Sequence, residues 1–325
     1  MPAGGDSWGV RMDVPIRTDP PEGPATGAGP TGPSATGPSP TGPSATGPSA
    51  TRPGRAGGPA GPDPAPGLRT RIEVLGPVRA WRGGRELPLG SPQQRGVLAL
   101  LAVAAGRPVP TTEIVAALWE EHPPRTAANV VQTYLGRLRR VLEPGRPAHG
   151  PSRVLPSVGD GYALLVDSSA LDLARFRLLT RQADAARRTA DHQQVVGLLT
   201  DALALWQGPP GSDLPVLAGN HRLRAVVEEH RAAVGWLAQT SLATGTAVEA
   251  LPVVAPAAGT RPLDESLQAD LIRLYHAAGR RCDAVRTFLE TRRRLRDEFG
   301  FDPGPELAGA YRELLRGAGP RPAGR

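Results

Sequence analysis

Glycine and proline are spread so unevenly along this 325-residue chain that they divide it before any other feature does. The first 67 residues hold 15 of the 40 Gly and 16 of the 37 Pro, nearly half of that stretch, whereas the other 258 residues hold 46. Proline lacks the backbone donor that a helix or sheet ladder needs, and glycine loses the most entropy when ordered. From Thr31 to Ala50 the unit Thr-Gly-Pro-Ser-Ala recurs four times, with Pro40 replacing Ala once, and no apolar side chain larger than Ala interrupts it. Residues 1–67 therefore read as a disordered, extended tail without a core of its own. Residues 318–325 read as a disordered C-terminus. What lies between is long enough for two compact cores at roughly 150 residues each.

The formal charge is +7, and every one of the 38 cations is an arginine. Residues 1–68 carry 4 Arg against 5 acids, residues 69–166 carry 13 against 7, and residues 167–325 carry 21 against 19. Most of the excess thus falls in the middle third, the electrostatic footprint of a segment that meets a polyanion. The single Cys282 excludes an internal disulfide and a cysteine-based zinc site. No run of 18 apolar residues and no signal-peptide pattern is present, so the chain is expected in the cytoplasm, with no membrane partner.

From residue 68 the pattern turns regular. Ile72, Val74, Val78 and Ala80 alternate with polar residues on either side of Gly76-Pro77, and Glu86 to Leu89 follows a Gly83-Gly84 turn, as in short antiparallel strands. Ser91 with Pro92 opens a helix running to about Gly106. Thr111-Thr112 opens a second, with Ile114, Val115, Leu118 and Trp119 on its apolar face and Pro123-Pro124 as its stop. A third begins near Thr126, with Ala127, Val131, Tyr134, Leu135, Leu138, Val141 and Leu142 on one face. Asn129, Gln132, Thr133, Gly136 and Arg140 fall opposite, flanked by Arg137 and Arg139. Arg153-Val154-Leu155 and Tyr162 to Val166, joined across Gly159-Asp160-Gly161, read as a hairpin. Three helices and a hairpin over 68–166 make a winged helix.

That exposed helix face has the chemistry to read DNA. Arg can grip a guanine edge with two bonds, Gln or Asn can pair with adenine, and an amphipathic helix fits the major groove. Gly136 would allow close approach at a helix cost of about 1 kcal/mol relative to Ala.

After Asp167 apolar residues recur only at helical spacing. The faces are Phe176, Leu179 and Ala183; Val195, Leu199, Ala202, Leu203 and Trp206; Leu223, Val226, Val227, Val234 and Leu237; Leu267, Leu271, Leu274 and Tyr275. A further helix is expected to bury Val285, Phe288, Leu289, Leu295 and Phe299, and Pro305 starts a last one with Leu307, Tyr311, Leu314 and Leu315. Helices paired across short turns over 167–317 suggest a tetratricopeptide-like array. Arg292-Arg293-Arg294 with Arg296 reads as a solvent face compensated by Glu290, Asp297 and Glu298.

Catalytic chemistry finds no foothold in these residues. Without lysine there is no phosphate-binding Gly-x-x-x-x-Gly-Lys loop and no Schiff base, and the six histidines are scattered. Glu228-Glu229-His230 reads as an exposed helix face rather than a ligand set, and no cofactor or metal is expected. The chain does not read as an enzyme.

Two sets of residues carry a resemblance. Val130-Val131-Gln132-Thr133-Tyr134-Leu135-Gly136-Arg137-Leu138-Arg139-Arg140-Val141-Leu142, after Leu118-Trp119 and before Gly161-Tyr162, resembles the response-regulator type of winged helix-turn-helix. Leu203-Ala204-Leu205-Trp206-Gln207-Gly208-Pro209, Arg261-Pro262-Leu263-Asp264-Glu265, Leu274 to Arg280 and Glu298 to Leu307 resemble the bacterial transcriptional activation domain. Together they are similar to the Streptomyces antibiotic regulatory protein family. The resemblance implies base contacts from Gln132, Thr133 and Arg137, phosphate contacts from Asn129, Arg139 and Arg140, and a minor-groove or backbone contact from Arg153. It further implies two protomers on direct repeats of promoter DNA, recruitment of RNA polymerase holoenzyme through its sigma subunit, and control of an antibiotic gene cluster. Two other readings remain open: a ligand-responsive regulator, and a protein-binding adaptor that uses the helical array alone.

Overall fold

The computed structural model describes residues 70–147 and 150–316. The tail read over 1–67 and the terminus over 318–325 lie outside the described residues.

A small antiparallel sheet comes first: β1 (Thr70–Glu73), β2 (Arg79–Arg82) and β3 (Arg85–Glu86), in that order. Ile72 sits opposite Ala80, and both are fully buried. Gly83 and Gly84 have φ of 57° and 79°, so this two-residue turn has the positive φ at both positions that matches the twist of a hairpin. Helix α1 (Pro92–Val103) starts as expected, with Ser91 Oγ accepting from the Gln94 amide at 3.3 Å. It is buried almost all round from Val97 to Val103 and forms the spine of this part of the molecule. Helix α2 (Thr111–Trp119) ends before the predicted proline stop, because Glu120 takes a φ of 51° and leaves the helical region. Helix α3 (Ala127–Leu142) buries Ala127, Val131, Leu135, Leu138 and Leu142 against α1 and α2.

The wing is smaller than its sequence suggests. Strands β4 (Val109–Pro110), β5 (Ser157–Val158) and β6 (Gly161–Tyr162) form a sheet of order β4-β6-β5. Arg153-Val154-Leu155 is not strand but a bend ahead of β5, although the Leu165 amide still reaches Val154 O at 2.8 Å.

Seven α-helices follow among the described residues: α4 (Asp172–Arg188), α5 (His192–Leu203), α6 (His221–Thr244), α7 (Ala247–Gly259), α8 (Glu265–Ala277), α9 (Arg281–Phe299) and α10 (Pro305–Arg316). Each packs on its neighbour, and α6 on α8 and α8 on α10 as well, which is the stacking of a tetratricopeptide-like array. Helix α7 escaped the sequence reading because Pro252 and Pro256 lie inside it and break the helical signal, yet it buries Ala247, Ala250, Leu251, Val254 and Ala258. On α9 the buried residues are Ala284, Phe288, Thr291 and Leu295; Leu289 and Phe299, expected inside, are 50% and 55% exposed. Leu315 is exposed too. The arginines of α9 differ as well: Arg296 pairs with Asp302 at 2.6 Å, and Arg292, Arg293 and Arg294 pair with no carboxylate among the described residues.

The described residues hold two apolar clusters. One runs without a break from Ile72 through the winged helix to Leu274; the other joins Ala269, Ile272, Ala284, Phe288, Leu295, Leu307, Ala310 and Leu314. Polar contacts reinforce the first across the 166/167 boundary. Asp172 Oδ2 accepts from the Val74 and Leu75 amides, both at 2.8 Å, and Asp213 Oδ1 accepts from Val78 at 2.9 Å. Arg177 on α4 donates to Glu229 on α6 and to Val103 O of α1 at 3.2 Å. Arg222 on α6 forks onto Glu113 of α2, and Arg95 of α1 pairs with Asp213.

Candidate nucleic-acid interface

At 100° per residue, Asn129, Gln132, Thr133, Gly136, Arg137 and Arg140 occupy an arc of about 140° on α3. The side chains of Asn129, Gln132, Thr133, Arg137 and Arg140 are exposed, opposite the residues that pack on α1 and α2. Thr133 Oγ1 donates back to Asn129 O at 2.9 Å, which turns its lone pairs outward. A Cβ at Gly136 would meet nothing within 4 Å, so the glycine leaves a shallow gap between Thr133 and Arg140. Among the described residues Arg137, Arg140 and Arg153 pair with no carboxylate. Their charge is free for a polyanion, whereas Arg95, Arg177 and Arg222 at the inner junction are all paired.

Arg139 is placed differently from a simple phosphate contact. Its Nε donates to Leu155 O at 2.9 Å, its Nη2 to Ser157 Oγ at 3.2 Å, and the guanidinium lies 5.7 Å from the centre of the Tyr162 ring. Burial lowers its pKa, partly offset by Tyr162. The side chain ties the last turn of α3 to the wing.

The C-terminal end of α3 is tied a second time. The Glu143 carboxylate accepts from the Ser152 hydroxyl and from the Arg153 and Val154 amides at 2.8 and 3.1 Å. Burial opposes its ionisation, but those three donors and nearby Arg146 outweigh it and hold the carboxyl below its usual range. Arg153 is thus anchored by its backbone while its side chain is exposed at the edge of the wing. At the wing's other end the Thr111 amide and hydroxyl both donate to Asp160 O, at 3.2 and 2.7 Å. Gly161 is required there, since a Cβ would lie 2.2 Å from Val109 O. Helix α3 and the wing therefore form one rigid, arginine-edged surface.

Sequence reasoning found the outward residues of α3 but missed Glu143, Ser152, Ser157 and Thr111, which hold the surface in shape. Nothing in their spacing marks them, because each acts across a loop.

Residues 84–164 match the family described as transcriptional regulatory protein, C terminal, and residues 171–315 match the bacterial transcriptional activator domain. The chain is 36% identical over 258 residues to the regulatory protein AfsR of Streptomyces griseus, covering 78% of this chain and 25% of that one. It is 32% identical over 272 residues to the transcriptional regulator RedD of Streptomyces coelicolor, covering 81% of this chain and 76% of that one. The solved structure of Mycobacterium tuberculosis EmbR in complex with low affinity phosphopeptide superposes with a TM-score of 0.65 at 30% identity, covering 77% of this chain and 65% of that one. The chain thus spans about a quarter of the length of AfsR and most of RedD. No helix among the described residues is long and apolar enough to cross a membrane.

Proposed function

We propose that this chain, which belongs to the Streptomyces antibiotic regulatory protein family, is a sequence-specific transcriptional activator that binds promoter DNA through α3 and the wing. Gln132, Thr133 and Arg137 read bases in the major groove; Asn129, Arg140 and Arg153 hold phosphates, with Gly136 giving room for close approach. Arg139 acts by positioning the wing against α3, with any phosphate contact left to its free donor. Two copies occupy direct repeats of the promoter, contact RNA polymerase holoenzyme through its sigma subunit, and switch on an antibiotic gene cluster. The protein would work in the cytoplasm, at the nucleoid, and carry out no catalysis.

The observation that carries this reading is the exposed face of α3, where amide, hydroxyl and unpaired guanidinium groups share one arc. Mobility-shift titrations of the neighbouring promoter region at several salt concentrations test it. Arg137→Ala should cost about 1–3 kcal/mol on the preferred site and blur the preference there. Arg140→Ala should weaken all sequences alike and flatten the salt slope by about one unit. An unchanged sequence preference in Arg137→Ala removes that residue from base readout, and no salt-sensitive binding at all refutes the function.

A further inference from the structure

Helix α9 packs on one side and leaves two unlike flanks in solvent. With Leu289 set at 0° and 100° per residue, the buried side of Ala284, Phe288, Thr291 and Leu295 spans about 200° to 260°. Val285, Arg292, Arg293, Arg296 and Phe299 share an arc of about 120° with Leu289 on one flank. Glu290, Asp297 and Glu298 lie on the other, at about 80° to 180°, with Arg294 among them. The acids are thus segregated from Arg292 and Arg293.

The first flank is apolar as well as cationic. Of the four phenylalanines in the chain, Phe176 and Phe288 are buried, whereas Phe299 and Phe301 are 55% and 65% exposed. Gly300 ends the helix with a φ of 72° and turns the chain back, which brings the Phe301 ring beside that of Phe299, with centroids 6.1 Å apart. At the other end Leu289 is half exposed, and a groove of about 410 Å3 runs beside it, Val285 and Cys282. Exposed apolar side chains scattered singly need no explanation, but these lie on one stripe, about 21 Å from Val285 to Phe299 at 1.5 Å per residue. Arg292 and Arg293 stand between its two apolar ends. Arg296 is held by Asp302 at 2.6 Å, while Arg292 and Arg293 pair with no carboxylate among the described residues.

Apolar anchors at both ends with unpaired guanidinium groups between them complement a helix of about four turns that carries apolar side chains on one face and carboxylates beside them. A nucleic-acid backbone would use the arginines and leave Leu289, Phe299 and Phe301 in water. We propose that this flank of α9 is the docking site for an acidic amphipathic helix of another protein, whose carboxylates meet Arg292 and Arg293 and whose apolar side chains cover Leu289, Phe299 and Phe301. The face is separate from α3 and the wing, and the peptide measurement uses no DNA, so its failure leaves the DNA-binding reading untouched.

Fluorescence anisotropy with the full chain uses a fluorescein-labelled helical peptide of about 18 residues, with leucines on one face and glutamates on either side of them. The same peptide with glutamine for every glutamate is the uncharged control. The acidic peptide should bind with a Kd below about 1 mM and more weakly as salt is raised, and the glutamine peptide at least about tenfold more weakly. Arg292→Glu combined with Arg293→Glu should weaken the acidic peptide at least about tenfold. Phe299→Ser and Leu289→Ser, at opposite ends of the stripe, should each weaken it a few fold; far-UV circular dichroism and the melting temperature establish that each variant is folded. No binding of the acidic peptide, equal affinity for the glutamine peptide, or unchanged affinity in the charge-reversed variant overturns the proposal. A mixed-sequence DNA duplex is titrated in parallel, and if its affinity falls in the charge-reversed variant as far as that of the peptide, the arginines serve DNA and the proposal is overturned. A dimer in sedimentation equilibrium that Phe299→Ser dissolves overturns it too, since a second copy then covers the face.

Discussion

Replacing Asp172 by Asn is expected to make the protein more stable at neutral pH and to remove one component of its pH dependence. The carboxylate is the hinge between the first strand and the helical region, accepting from the Val74 and Leu75 amides at 2.8 Å through one oxygen. Burial nevertheless raises its pKa from 3.8 to about 6, against the pull of the Leu75, Val74 and Leu173 amides. The folded state therefore binds this proton more tightly than the unfolded chain does. The stability it contributes is complete below pH 3.8 and is lost as pH rises through about 6. At about 1.36 kcal/mol per unit the loss approaches 3 kcal/mol by pH 7. Asn keeps an acceptor for Val74 and Leu75 and carries no charge; it gives up the 2.7 Å bond from the Leu173 amide, worth about 1 kcal/mol. The net gain at pH 7 is then about 2 kcal/mol, shrinking to nothing or reversing near pH 4. Asp172→Ala strands both amides, at about 1–3 kcal/mol each relative to Asn. Urea unfolding followed by circular dichroism at pH 4, 5, 6 and 7 gives the difference between Asn variant and parent. Other titrating groups cancel in that difference if they lie far from the site. A difference that stays flat or falls with pH would refute the claim that this carboxyl is held against its ionisation.

Three further outcomes are expected. Arg139→Ala should speed hydrogen exchange through 155–162 and weaken DNA binding several fold without changing the helix content; unaltered exchange there would mean that the wing does not depend on this side chain. His230 is not the exposed residue that its acidic neighbours suggest: its ring lies 4.1 Å from that of Trp206, and burial, helped by Arg261, holds it neutral in the fold, with its pKa about 4 against 6.5. The stability tied to it is therefore present above pH 6.5 and falls by up to about 3 kcal/mol as the pH drops to 4. His230→Phe should escape that loss, seen as a smaller decline in melting temperature between pH 7 and 4.5, and an equal decline would contradict it. Residues 68–166 made alone should lack a cooperative unfolding transition, since the partners of Val74, Leu75 and Val78 are then missing; a sharp transition close to that of the whole chain would show the winged helix to be self-sufficient.

The elements that carry a clear apolar period were legible from the sequence, and the outward face of α3 was legible for the same reason. Val131, Leu135, Leu138 and Leu142 point inward at helical spacing, so what lies opposite must face solvent. Misreadings arose where tertiary contacts override local signals. Helix α7 survives two interior prolines because its buried face packs between α6 and α8. Leu289 and Phe299 look like core by composition, yet α9 has only one packed side, set by Ala284, Phe288, Thr291 and Leu295. Arg139 has the same local surroundings as Arg140, and only the approach of Leu155 and Ser157 separates their roles. The burial of His230 was out of reach altogether, because Trp206, His230 and Arg261 come from separate stretches and meet only after the helices have stacked.

The junction between the two parts has a division of labour that bears on how the protein would work. Where β1 runs out at Val74 and Leu75, the backbone needs partners, and Asp172 and Asp213 supply acceptors fixed on the helical side. Where α1 and α2 meet the helical region, the Arg95–Asp213 and Arg222–Glu113 pairs flank an apolar contact: Leu217 and Val216 lie beside Gly96, where a larger residue would press on Leu118. Hydrogen bonds fix register and the apolar contact supplies adhesion, so the pair resists both sliding and separation. A linker would let α3 turn independently of the array; this junction does not. Helix α6 makes the connection directly, holding Glu113 of α2 through Arg222 at one end and packing on the Trp206 ring through His230 about two turns further on. The orientation of the reading helix against any partner of the array is therefore a property of the folded core, and a partner bound there would meet the DNA from a set direction.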